Sequence, residues 1–140
     1  MPIDTLRSFG ENDLQAVLAL NNAAAPAVNE LTSSDLEWFE EVSHLFLVSE
    51  RKVGEKTQIT GFLIGLTGPG VNYQSINYNW FTSRYENFLY VDRVVVGESS
   101  WGQGNGRRFY EALAASGSNQ PVMCAAVSYT HLTLPTNREV

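Results

Sequence analysis

The spacing of apolar side chains changes period several times along the chain, and each change marks an element. Thr5-Leu6-Arg7-Ser8-Phe9 alternates weakly, as a short edge strand would, and Gly10 ends it. Over residues 11–25 the period is helical. Leu14, Val17, Leu18 and Asn21 share a stripe, Glu11 and Asp13 sit where a helix N-terminus favours negative charge, and Pro26 stops the helix. A second helix is expected near Ser34, because Ser34 and Glu37 have the spacing of a capping box; Leu36, Phe39 and Val42 form its stripe. After His44 the period is that of a strand. Residues 45–48, a turn at Gly54 and residues 58–66 predict an antiparallel hairpin. Residues 67–86 form a long connection that carries Tyr73, Tyr78, Trp80, Phe81 and Tyr85. Aromatics at this density predict a segment packed on an apolar sheet face, or a lid over a substrate. Phe88 to Val96 is the clearest strand, and its three consecutive valines predict a central place covered on both faces. A turn at 97–100, a glycine-rich loop, a helix with Phe109, Ala112 and Leu113, and a strand over 121–127 complete the order. The fold class is therefore α/β in the mixed (α+β) sense: a mostly antiparallel central sheet flanked by helices.

Composition narrows the function. The chain has 140 residues, enough for one domain, and 44% hydrophobic against 17% charged residues supports a buried core. Nine basic residues against 15 acidic ones leave a net charge of -6, which argues against nucleic acid as a partner while permitting a local basic pocket. A single cysteine, Cys124, excludes a disulfide framework and a zinc site built on several thiolates, and suits a reducing cytoplasm. No apolar run approaches the roughly 18 residues a membrane helix needs, and Met1-Pro2-Ile3-Asp4 does not read as a secretory leader.

The stretch most informative about chemistry runs from Val94 to Arg108: strand, turn, glycine-rich loop, helix. Gly102, Gly104 and Gly106 let the backbone approach a ligand and adopt positive φ. The unpaired N–H groups of the helix start converge there, and with the helix dipole they favour an anion. Arg107 and Arg108 add positive charge in the first turn, where the dipole disfavours it, so a bound phosphate or diphosphate is expected near 102–107. The spacing is neither the G-x-G-x-x-G dinucleotide fingerprint nor a Walker loop. The alternative is that the glycines only make a tight turn.

Residues 94–110, Val-Val-Val-Gly-Glu-Ser-Ser-Trp-Gly-Gln-Gly-Asn-Gly-Arg-Arg-Phe-Tyr, resemble motif A of the GNAT superfamily of N-acetyltransferases, a strand followed by Arg/Gln-x-x-Gly-x-Gly/Ala and a helix. The order of the preceding elements is also similar, so the resemblance spans residues 1–127. It implies acetyl-coenzyme A as donor and a small-molecule or peptide amine as acceptor. It further implies that Val94, Val95 and Val96 pair with the pantetheine arm, and that Gly102, Gln103, Gly104, Asn105, Gly106 and Arg107 hold the diphosphate. Trp101 departs from the pattern by standing where the family has Arg or Gln. It removes a polar contact and offers an indole that could stack on the donor.

Acetyl transfer to an amine needs a base and donors for the oxyanion. Strand alternation would place Tyr90, Asp92, Val94 and Val96 on one face, and family members often carry a carboxylate base on this strand. Asp92 is therefore the candidate base; an ion pair with a neighbouring arginine is its other reading. Glu41 and His44 are secondary candidates, and Cys124 reads as core. The family's last helix and two strands are not visible. Residues 128–140, including Tyr129 and His131, read as a non-native tail on an incomplete domain. An open edge on the last strand would then invite self-association. The rival functions are a non-catalytic coenzyme A-binding module, an inactive fragment that pairs through that edge, and nucleotide or phosphate binding on the glycine loop.

Overall fold

The structure, a computed structural model, describes residues 4–117 and 121–124. Its elements are β1 (Thr5–Ser8), α1 (Leu14–Ala23), α2 (Ser33–Val42), β2 (Leu45–Val53), β3 (Lys56–Gly68), α3 (Ile76–Thr82), β4 (Phe88–Val96), α4 (Asn105–Ala115) and β5 (Val122–Cys124). Single 3-10 turns precede α1 (Glu11–Asp13) and follow β4 (Glu98–Ser100). The strands lie in sequence order in one sheet. The first three pairings are antiparallel; β5 joins β4 in parallel, with α4 as the crossover that a parallel pair requires.

Local chemistry shifts one expected boundary and places a helix, α3, inside the expected long connection. The capping box of α2 is Thr32 with Asp35, two residues ahead of the Ser34–Glu37 pair. Thr32 Oγ1 accepts from the Asp35 amide at 3.2 Å, and Asp35 accepts from the Thr32 amide at 2.9 Å. Within the long connection, Ser75 caps α3 by accepting from the Tyr78 amide at 3.1 Å. Tyr78 is fully buried, donates its hydroxyl to Thr67 O at 2.7 Å and packs its ring on Tyr90 and Phe88. The connection therefore covers the sheet.

The core has two layers, one on each sheet face. Val17 of α1 and Leu36 and Phe39 of α2 pack with Phe62, Phe88 and Tyr90 on one face. Phe109 and Leu113 of α4 pack with Leu47, Leu63, Leu89 and Val91 on the other. Each fully buried side chain of this size stabilises the fold by about 1.5–3 kcal/mol relative to exposure. β4 is thus central and covered on both sides, as three valines in a row suggest.

The expected alternation along β4 does not hold. Gly65 pairs with Val91 but Ile64 pairs with Arg93, so Asp92 is an extra residue in a β-bulge. Parity reverses beyond it. Val95 joins Phe88 and Tyr90, while Val94 and Val96 join Leu89 and Val91 against α4. Tyr90 and Val94 therefore lie on opposite faces.

Candidate functional site

The loop between the 3-10 turn and α4 is held open by two left-handed residues. Gly102 and Gly104 have φ of 80° and 84°, a region that costs an L side chain about 1–2 kcal/mol. No atom lies within 4 Å of where a Cβ would stand at either position, so the requirement is one of backbone conformation and not of crowding. The first amide of the α4 ladder is that of Arg108, donated to Gly104 O at 3.1 Å. Among the described residues, no protein group accepts from the amides of Gly102, Gln103, Gly104, Asn105, Gly106 or Arg107. Six donors in a row at a helix N-terminus make an anion cradle.

The side chains here divide in role. Arg107 is exposed at the cradle. Arg108 turns inward and donates to Asp4 O at 2.6 Å. Asn105 is buried, with Nδ2 donating to Asp4 Oδ2 at 2.8 Å, and Gln103 Oε1 accepts from Arg51 Nη2 at 2.7 Å. So the side chains of Gln103 and Asn105 are engaged by Arg51 and Asp4, and their backbone amides remain without a protein acceptor among the described residues. The Asp4 carboxylate is fully buried and also accepts from Arg51 Nε at 2.8 Å and Thr60 Oγ1 at 2.6 Å. Burial pushes its pKa up, but the bonds from Arg51, Thr60 and Asn105 outweigh that and hold it below the usual carboxylate range. Sequence reasoning missed Asp4, Arg51 and Thr60. The contacts span 47 to 101 residues, and no local spacing signals them.

The edge of β4 lies beside the cradle. Gly97 donates its amide to Thr60 O at 2.9 Å, which directs that residue's main-chain groups toward β3. Alternation then directs those of Val95 toward β3 and those of Val94 and Val96 toward the outer edge. The described pairing of β5 with β4 covers only Leu89 to Val91. Trp101 donates its indole N–H to Val96 O at 2.7 Å, so it satisfies one outward carbonyl of this edge.

Asp92, in the bulge, is almost wholly buried. Its carboxylate accepts from Arg93 Nε at 3.0 Å and from the Tyr73 hydroxyl at 2.7 Å, so the ion pair with a neighbouring arginine is present. Arg93 is itself held by Asn21 Oδ1 at 2.9 Å and Asn29 O at 3.0 Å. Burial and the adjacent carboxylate push the Tyr73 phenol well above its ordinary value, so it keeps its proton. Tyr73 is half-buried, with its ring against Trp38, Phe39 and Tyr78. Glu41 is exposed on α2. His44 Nε2 lies 3.0 Å from Ser116 Oγ at the C-terminal end of α4, about 17 Å along the helix from the cradle. Cys124 pairs through its backbone with Val91. Tyr129 and His131 lie outside the described residues.

No family model matches the chain, and no curated protein matches it. Solved structures do. An acetyltransferase from Trypanosoma brucei aligns with a TM-score of 0.64 at 17% identity, over 98% of this chain and 90% of its own. Naa20 from Chaetomium thermophilum, solved with a bisubstrate analogue, aligns at 0.60 and 22% identity over 80% of this chain. A chain provisionally assigned as a phosphinothricin N-acetyltransferase aligns at 0.51 and 24% identity over 81% of this chain. The chain has the GNAT fold. It spans 55% of the length of Naa20 and 65% of the phosphinothricin relative. The glycine loop and the β4 edge lie within residues 94–110, the stretch that resembles motif A. Among the described residues no helix is long and apolar enough to cross a membrane, and no cluster of His, Cys, Asp and Glu could hold a metal.

Proposed function

We propose that residues 1–127 form an acetyl-coenzyme A-dependent N-acetyltransferase domain that works in the cytoplasm on an amine acceptor. The observation that carries this reading is the row of free amides over 102–107, set beside the outward edge of β4 in a GNAT fold. The cradle fits a diphosphate, because unpaired amides and the exposed Arg107 supply donors and charge without a side chain in the way. The outward groups of Val94 and the amide of Val96 fit the amides of a pantetheine arm by strand addition, with Val96 O already taken by the Trp101 indole; Val95 contributes its side chain to the core.

When bound, the donor supplies a thioester carbonyl open to attack. Asp92 is the proposed base. Because it is buried, its proton traffic passes through Tyr73: the phenol oxygen takes a proton from the acceptor ammonium as its own proton moves to the Asp92 carboxylate. The amine nitrogen then forms the C–N bond, the C–S bond breaks, and the nitrogen's second proton passes to the departing sulfur, which leaves as the thiol. The net charge of -6 supports a cationic acceptor through steering.

The direct test is thermal unfolding with coenzyme A. At 100 times Kd, binding to the native state adds about 2.7 kcal/mol of stability, and ATP should not reproduce the effect. No shift at saturating coenzyme A overturns the reading. A second reading, a non-catalytic coenzyme A-binding module, is favoured by the engagement of Asp92 with both Arg93 and Tyr73. It gives the same thermal shift without acetyl transfer to any of a panel of amines.

A further inference from the structure

Six consecutive amides grip an anion only if the loop holds them convergent, and this loop contains two glycines with nothing packed against them. Ordering each loop residue costs backbone entropy, so a loose loop would bind a diphosphate weakly. What orders it comes from distant parts of the chain. Asp4, just before β1, accepts from Asn105 in the first turn of α4 through its carboxylate and from Arg108 through its carbonyl. Arg51 of β2 spans from Asp4 to the loop: Nε bonds Asp4 Oδ1, and Nη2 reaches both Ser100 Oγ at 3.2 Å and Gln103 Oε1 at 2.7 Å. Thr60 of β3 donates to Asp4, and because its only hydroxyl proton goes there, Ser49 must donate to Thr60 at 2.8 Å. Thr60 O in turn takes the Gly97 amide at the end of β4.

We propose that Asp4 and Arg51 are positioning residues for the diphosphate cradle, holding its amides preorganised by bracketing both ends of the glycine loop. This rests on the coenzyme A reading above and deepens it. Neither residue needs to touch the ligand; Arg51 acts through Ser100 and Gln103, and Asp4 through Asn105 and Arg108. A planar guanidinium suits the task because one group satisfies a carboxylate and two loop oxygens at fixed angles, which a lysine cannot do.

The experiment compares coenzyme A with pantetheine, which lacks the diphosphate, by calorimetry on the full chain. Wild type should prefer coenzyme A. Arg51→Met should lower affinity for coenzyme A by about tenfold or more, the scale of a lost charge-assisted bond, and leave pantetheine unchanged. Gln103→Leu, an exposed position that does not endanger the fold, should move the same ratio in the same direction. An unchanged ratio in both variants overturns the proposal, as does an equal loss for both ligands, which marks Arg51 as merely structural. If wild type itself shows no preference for coenzyme A, the diphosphate reading falls first and takes this proposal with it.

Discussion

Asp92 shows how much one residue's role depends on its neighbours. Its carboxylate neutralises Arg93, which is buried against Asn21 and Asn29. Asp92→Asn should therefore destabilise the fold by about 3–5 kcal/mol, read from a denaturant midpoint, because a buried guanidinium loses its partner. Tyr73→Phe is the cleaner probe of chemistry, since it leaves that pair intact. If Tyr73 relays the proton, kcat should fall by about 10²-fold or more with KM for the donor unchanged, and an unaltered kcat would remove Tyr73 from the mechanism. Trp101 offers a third residue-scale test. Its indole satisfies Val96 O, a carbonyl that the donor's arm would need. Trp101→Phe should free that carbonyl and tighten coenzyme A binding by about three- to tenfold, the worth of one net hydrogen bond, measured by titration.

At the scale of elements, the β4 bulge and the glycine loop work together. The extra residue at Asp92 reverses the parity of the strand, so Val94 and Val96 pack on α4 while Arg93 reaches back to α1. The left-handed turn at Gly104, the N-cap of α4, is strained for any other residue. Gly104→Ala should cost about 1–2 kcal/mol of stability by thermal melt and weaken coenzyme A binding, with the helix itself retained by circular dichroism. An alanine variant with native affinity would show that the left-handed turn is dispensable to the cradle.

Across the whole molecule, buried or half-buried carboxylates couple folding to pH. Bonds from Arg7 pull the pKa of Asp13 down against the upward push of burial, and the Gly10 amide helps. Asp4 is lowered for the reasons given above. A depressed carboxylate contributes stability that is present above its unfolded value, near 4, and lost as pH falls through its lower folded value. The urea midpoint should thus hold steady from pH 7 toward pH 5 and drop below about pH 4. Asp13→Asn should make that acid limb shallower; an identical limb would place the coupling elsewhere.

The amino-acid sequence alone determined the order of the strands and of α1, α2 and α4, the central place of β4, and the glycine loop at the start of α4, but not α3 within the long connection. These depend on side-chain period and on residues with special backbone freedom, and both are local properties. It also carried the resemblance to motif A that led to the GNAT fold. The capping box of α2 was legible in kind but displaced by two residues, because Thr32 and Asp35 offer the same spacing as Ser34 and Glu37. Only the tertiary structure decided the bulge at Asp92, the pairing of Tyr73 with that carboxylate, and the bracket of Asp4 and Arg51 around the loop. The Tyr73–Asp92 bond joins residues 19 apart and the Asp4 contacts join residues 47 to 101 apart, and the bulge follows from how β3 pairs with β4; pattern along the chain carries no distance between such segments.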